Sequence, residues 1–228
     1  MKKSTDRSLV VSGLATPSSC MRFGQLRLGS LVIAMDPSCA NALGAKRNAC
    51  IDLTACAGRD AVVALERYAA CANLVLVRDH QLESDELVEH VRRHNLSAIV
   101  LNAEIDYDTD ISWPISRLEW AATRVAIKWF ALDVFCGVER SWDTLLSTGS
   151  DEFTTKDLEE ICRRFPVILS ADTTLSNCDN VFSFPGAQGL LLTCNEISPI
   201  LPPERHSMTP EDVYAMVANL CGNETHEQ

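Results

Sequence analysis

Residues 73–102, NLVLVRDHQLESDELVEHVRRHNLSAIVLN, hold a complete strand–helix–strand unit. Asn73–Val77 and Ala98–Leu101 are short, continuous apolar runs rich in Val, Ile and Leu. Strands buried on both faces read this way, as in a parallel sheet covered by helices. Between them Ser84 stands where an N-cap belongs, and Asp85 and Glu86 complement the positive end of a first helical turn. Leu87, Val88 and Val91 then fall on one helical face. A parallel strand pair needs a crossover of this length, so the unit predicts a βαβ repeat rather than a hairpin.

The same alternation extends in both directions. Further apolar runs are Leu31–Met35, Cys50–Leu53, Val125–Leu132, Pro166–Leu169 and Gly189–Leu192. Ala61, Leu65, Tyr68 and Ala72 share a face of a helix over 59–72. Pro114 opens another at its first position, followed by Ile115, Leu118 and Ala122. Leu158, Ile161, Cys162 and Phe165 give i, i+3, i+4, i+7 spacing, and Pro166 stops that helix. The last helix starts at Thr209-Pro210-Glu211-Asp212, buries Val213, Met216, Val217 and Leu220, and stops at Gly222. Seven strands are legible. An eighth comes from Ser8–Val11, from Met21–Leu28 or from a stretch too weak to read; Met21–Leu28 and Ser30–Met35 could instead form a hairpin about Gly29 that closes the barrel bottom. The expected fold is a compact α/β (β/α)8 barrel of seven to eight parallel strands, with an open doubly wound sheet as the alternative. One domain over 21–221 is expected, after a flexible leader at 1–20 and before a flexible tail at 222–228.

The chain has 228 residues, 46% of them apolar, with 31 acids against 20 bases and a net charge of −11. That charge repels phosphate backbones, so nucleic acid is not an expected partner. No apolar run reaches the roughly 18 residues of a membrane span. Leu9-Val10-Val11 is too short for the apolar region of a secretory signal. Ten cysteines occur without a CxxC pair. They read as reduced thiols, several of them packing groups, in a cytoplasmic protein. A small-molecule substrate is the expected partner; oligomeric state is not legible.

Glycine-rich phosphate loops (GxGxxG, GxxxxGK[ST]) are missing, as are HExxH and GxSxG. What recurs is an acid at the end of an apolar run: Asp36, Asp52, Asp79, Glu104, Asp133, Asp172 and Glu196. In a parallel barrel these positions converge on the C-terminal rim, where such folds carry their active sites. Turn chemistry alone explains most of such a set. No cofactor is expected, although crowded carboxylates make magnesium possible. Lys128, inside VAIKWFALD, is either an interior amine able to bind substrate covalently or a lysine near the strand's bottom paired with an acid. His90 and His94 lie four apart on a helix and lack an evident third metal ligand. Cys50 is either a base exposed at a strand end or a packing thiol.

The order of motifs in the second half resembles phosphoribosylanthranilate isomerase. Ala131-Leu132-Asp133 is followed by Ser147-Thr148-Gly149-Ser150-Asp151-Glu152-Phe153, a helix over 154–165, and Pro166-Val167-Ile168-Leu169-Ser170-Ala171-Asp172. Thr173-Thr174-Leu175-Ser176-Asn177 is similar to the family's Thr-Pro-Glu-Asn step. In the first half Ala49-Cys50-Ile51-Asp52-Leu53-Thr54 resembles its first catalytic strand. The resemblance implies an aldose–ketose isomerisation with Asp133 as general acid and Cys50, or Asp52 in its place, as general base. It also implies substrate contacts at Asp172, Thr193 and Asn195, with Lys128 a further candidate. Two departures stand in the sequence: Ala171-Asp172 replaces the family's paired glycines, and Thr193-Cys194-Asn195 replaces a Ser-Gly step. A divergent, non-catalytic barrel serving as a binding or scaffold protein, or a magnesium-assisted lyase or aldolase, are the alternative functions.

Overall fold

Each strand's two faces are buried in different places, and this splits the apolar residues into two sets. Val10, Val32, Ala34, Cys50, Leu74, Leu76, Ile99, Leu101, Trp129, Ala131, Ile168 and Leu191 pack together inside a ring of strands. Their neighbours in sequence, including Val11, Ile33, Ile51, Val75, Val100, Leu132 and Leu192, pack outward against helices. Continuous apolar runs follow from this double burial. The structure is a computed structural model that describes residues 7–26, 31–40, 49–102, 112–133, 154–170, 178–194, 196 and 208–222, apart from the side chains at 113, 133, 221 and 222.

The strands are β1 (Ser8–Leu14), β2 (Leu31–Met35), β3 (Ala49–Asp52), β4 (Leu74–Arg78), β5 (Ser97–Asn102), β6 (Ile127–Asp133), β7 (Val167–Ser170) and β8 (Gly189–Thr193). All neighbours are parallel and in sequence order, and β8 pairs with β1 to close the barrel. Closure rules out the open doubly wound alternative and gives a (β/α)8 barrel. Seven α-helices are present among the described residues: α1 (Pro17–Gly24), α2 (Arg59–Tyr68), α3 (Asp85–Arg93), α4 (Ser112–Arg124), α5 (Thr155–Arg164), α6 (Cys178–Phe182) and α7 (Pro210–Gly222).

The N-terminal reading needs correction. Residues 8–20, expected within a flexible leader, form β1 and the first half of α1, and the eighth strand is the Ser8 segment. Met21–Gly24 belongs to α1, so it makes no hairpin with β2, which pairs with β1 in parallel. Thr16 caps α1, Pro17 occupies its first turn, and Cys20 and Phe23 are buried beneath it. Phe23 meets Tyr214 of α7 edge-on at 5.7 Å, so the first and last helices are neighbours. The strand was hard to read because its partner β8 lies some 180 residues away and because Ser12 and Gly13 interrupt its apolar run. The ring closes tightly there: a Cβ on Gly189 would lie 1.9 Å from the Ser8 carbonyl oxygen.

The helix ends follow the capping chemistry in the sequence. Ser84 accepts from the Leu87 amide at 3.3 Å at the start of α3. Thr154 and Asp157 cap α5 reciprocally, at 3.3 Å and 2.7 Å, and Thr209 and Asp212 do so for α7, at 3.2 Å and 3.1 Å. Replacing Ser84 with Ala is expected to cost about 1 kcal/mol in chemical denaturation; an unchanged midpoint would show that α3 is held by packing alone.

Candidate functional site

The eight strands end on Leu14, Met35, Asp52, Arg78, Asn102, Asp133, Ser170 and Thr193. Register decides which of these continue the inward row. Asp52 follows Cys50 and pairs with Leu76, Arg78 follows Leu76 and pairs with Leu101, and Ser170 follows Ile168 and pairs with Leu191. Ser12 and Thr193 pair across the closing seam, their hydroxyls 3.0 Å apart. The C-terminal mouth is thereby lined with polar groups above an apolar floor. The backbone of Asp133 pairs with Ser170 at the same level.

Asp52 is the best-defined acid there, only 2% exposed. One carboxylate oxygen accepts from the Thr54 amide at 2.9 Å and the Thr54 hydroxyl at 2.6 Å. The other accepts from the Gly13 amide at 3.4 Å. Burial pushes the Asp52 carboxyl above its ordinary range and the field of Asp36 adds to this; the three hydrogen bonds oppose it without cancelling it. Cys50 lies two residues deeper in the barrel and is fully buried. Burial, reinforced by Asp52, pushes its thiol well above the usual value. It therefore keeps its proton at neutral pH.

Gly13 is positioned by a register shift between Val11 and Leu14 and has φ +73°. A left-handed backbone at this point turns the amide towards Asp52, and glycine adopts it without steric cost. Thr54 continues the network outward: its carbonyl accepts from Arg78 Nε at 3.1 Å. Gln81 locks the same corner, accepting from the Arg78 amide at 2.7 Å and donating to the carbonyls of Leu53 and Cys56 at 2.8 Å and 2.7 Å.

Three other strand-end acids serve the scaffold. Asp36 caps a short 3-10 turn, accepting from the Ser38 amide at 2.8 Å. Asp79 is buried and paired with Arg117 of α4 at 2.9 Å. Glu196 accepts from the amides of Ala15 and Thr16 at 3.0 Å and 3.2 Å, tying the exit of β8 to the start of α1. Asp172, Asn195, Glu104 and the 147–153 loop lie outside the described residues, as does the side chain of Asp133.

Lys128 does not join the mouth. A bulge in the β5–β6 pairing leaves it between Ile127 and Trp129 without a partner, near the N-terminal end of β6. It is exposed, with its ammonium 4.9 Å from the Trp129 ring. The interior placement is thus corrected: the bulge shifts the inward phase from Lys128 to Trp129. Trp129 belongs to the barrel floor, its indole donating to Gln188 at 3.1 Å, and Phe130 packs outward on Phe165. His90 faces α2, bonded to Glu66 at 3.2 Å, while His94 caps α3. Among the described residues no three His, Cys, Asp or Glu side chains assemble as a metal ion would require, and no helix is long and apolar enough to cross a membrane.

Arg78, Thr54, Ser12 and Gly13 were not singled out by the sequence. Arg78 carried a usable signal: it shares the phase of Leu74 and Leu76. Which phase faces inward became clear only with the barrel closed.

No family model and no curated protein matches this chain. Solved structures do. Phosphoribosyl anthranilate isomerase from Thermococcus kodakaraensis is 14% identical with a TM-score of 0.56, covering 93% of this chain and 99% of that one. Type I 3-dehydroquinate dehydratase from Clostridium difficile is 10% identical with a TM-score of 0.60, covering 96% and 94%. Triosephosphate isomerase from Bartonella henselae is 13% identical with a TM-score of 0.55, covering 94% and 99%. At this identity the likeness is one of fold: a divergent barrel of the kind found in phosphoribosyl anthranilate isomerase.

Proposed function

We propose that this chain is an isomerase of a small sugar metabolite, moving protons between Asp52 and Asp133 at the C-terminal mouth of the barrel. The observation that carries the reading is Asp52, a buried inward carboxyl with raised proton affinity at the end of β3. A raised proton affinity suits a carboxyl that must return a proton as well as take one. Asp133 ends β6, three strands away around a ring of eight. A substrate held between them has an acid on one side and a base on the other.

In the aldose–ketose reaction Asp133 protonates the ring oxygen as the C1–O bond breaks, and takes the C1 hydroxyl proton back as the aldehyde forms. Asp52 removes the proton from C2 while Asp133 protonates the aldehyde oxygen, giving an enediol. Asp52 then returns its proton to C1 as the C2 hydroxyl gives its proton to Asp133, leaving the ketone. Asp52 takes the base role in preference to Cys50, because a thiol held protonated is a poor base. The barrel neighbours among metabolic enzymes support a small-molecule substrate. One of them, an N-(5'-phosphoribosyl)anthranilate isomerase from Pyrococcus furiosus, supplies the first compound to try.

The test is solvent-deuterium incorporation at the carbons flanking the carbonyl, followed by NMR with that compound and simple aldose phosphates. Incorporation that disappears in Asp133→Asn, with folding intact, is the expected result. Unchanged turnover in that variant removes Asp133 from the mechanism. A second reading, a barrel that binds without turnover, draws on the 2% exposure of Asp52 and the engagement of both its oxygens. Saturable binding of the same compounds without any deuterium incorporation selects it.

A further inference from the structure

Among the eight residues that end the strands, Arg78 is the only base, beside two acids, Asp52 and Asp133. Its guanidinium is fixed along one edge, where Nε donates to the Thr54 carbonyl at 3.1 Å. The backbone beneath it is fixed as well, through Gln81. The two Nη atoms have no partner among the described residues. Arg22, Arg117, Arg124 and Arg164 each face a carboxylate instead, at 3.0, 2.9, 2.5 and 2.9 Å. Among the described residues half-buried Arg78 faces no carboxylate; half-buried Arg7 also lacks one, but its guanidinium is taken up by the carbonyls of Phe182 and Ser183. Guanidinium groups recognise planar and tetrahedral oxyanions through paired N–H bonds, and the Nη edge, unpartnered among the described residues, offers such a pair.

Among the described residues the opposite side of the mouth offers no equivalent. Glu196, beyond β8, adds negative charge and is spent on the start of α1. On the β3–β4 side, Thr54 contacts both Asp52 and Arg78, so an anion at Arg78 lies beside the proposed base.

We propose that Arg78 holds an anionic group of the substrate, a carboxylate or a phosphate, through its two Nη atoms, with Thr54 and Gln81 setting the plane of the fork. The identity of that anion as part of a substrate rests on the isomerase reading; anion binding itself does not. The site also assigns a handed placement to the substrate: charged end over β4, reacting carbons over β3 and β6.

Isothermal titration calorimetry of the full chain at low ionic strength tests this, with inorganic phosphate in one arm and acetate in the other. At least one anion is expected to saturate, and the responding arm identifies the headgroup. Arg78→Met should abolish binding, and Arg78→Lys, which keeps the charge without the fork, should weaken it about tenfold. Arg78→Gln, which retains a donor for the Thr54 carbonyl, replaces the Met variant should that fail to fold, and should also lose binding. Failure of both anions to saturate, or equal affinity in the uncharged variants, overturns the proposal. The two readings separate cleanly. Anion binding lost in Arg78→Met, in a protein that incorporates no deuterium, leaves this site standing and removes the isomerase. Deuterium incorporation with anion affinity and KM unchanged in Arg78→Met removes this site alone.

Discussion

Asp52→Asn is expected to lower kcat/KM about 1,000-fold while the protein stays folded, the scale of losing a positioned general base. The amide still accepts from Thr54 but presents an N–H to the Gly13 amide, a mismatch costing about 1 kcal/mol. The same variant carries a signature in stability against pH. In the folded chain the Asp52 carboxyl titrates above its ordinary value of 3.8 because it is buried. The folded state therefore holds more protons than the unfolded state between 3.8 and that raised value. Stability from this group is fully present below 3.8 and is lost as pH rises through the raised folded value. Denaturation midpoints of the native chain should fall across that window relative to Asp52→Asn, whose side chain does not titrate. Parallel pH profiles for the two proteins would show that Asp52 is not perturbed. Unchanged turnover would take it out of the chemistry and leave the binding reading.

Gly13→Ala is expected to cost about 4 kcal/mol, combining a left-handed backbone for a residue with a Cβ and a backbone collision. The added carbon would lie 2.1 Å from the Cys194 carbonyl oxygen, a backbone atom at the end of β8 that cannot rotate away. Relieving it means separating β1 from β8 where the Cys194 amide donates to the Ser12 carbonyl at 2.8 Å. Against a typical total stability of about 5–15 kcal/mol, such a loss moves a urea midpoint far down. Gly58→Ala is the control. It also has positive φ, +43°, but open space around the added carbon. Its backbone (ψ −112°) is itself unfavourable for a residue with a Cβ, so it should cost about 1–3 kcal/mol, the conformational part alone. Equal losses in the two variants would remove the seam collision from the account. Because the Gly13 amide donates to Asp52, the Gly13 variant should also lose activity.

The barrel was readable because its signals are local. LVLVR, SAIVLN and PVILS are apolar on both faces, and Ser84, Thr154 and Thr209 mark helix starts through bonds to amides only three residues on. The first strand was less readable: Leu9-Val10-Val11 is brief, and its partner comes from the far end of the chain. The candidate site was legible in part. Acids at strand ends were visible, but their roles were not. Asp36, Asp79 and Glu196 bind a 3-10 turn, an arginine and a helix start, while Asp52 lines the mouth, although all four look alike in the sequence.

The sequence by itself determined the alternation of strand and helix, the parallel direction of the strands and the rim on which acids gather, because hydrophobic period and capping act over a few residues. Tertiary structure decided closure, and with it the phase of every strand. A single bulged residue at Lys128 exchanges inside for outside, since side chains alternate at each step along a strand. The meeting of Gly13, Asp52, Thr54 and Arg78 likewise depends on register between strands, which no local stretch of the chain encodes.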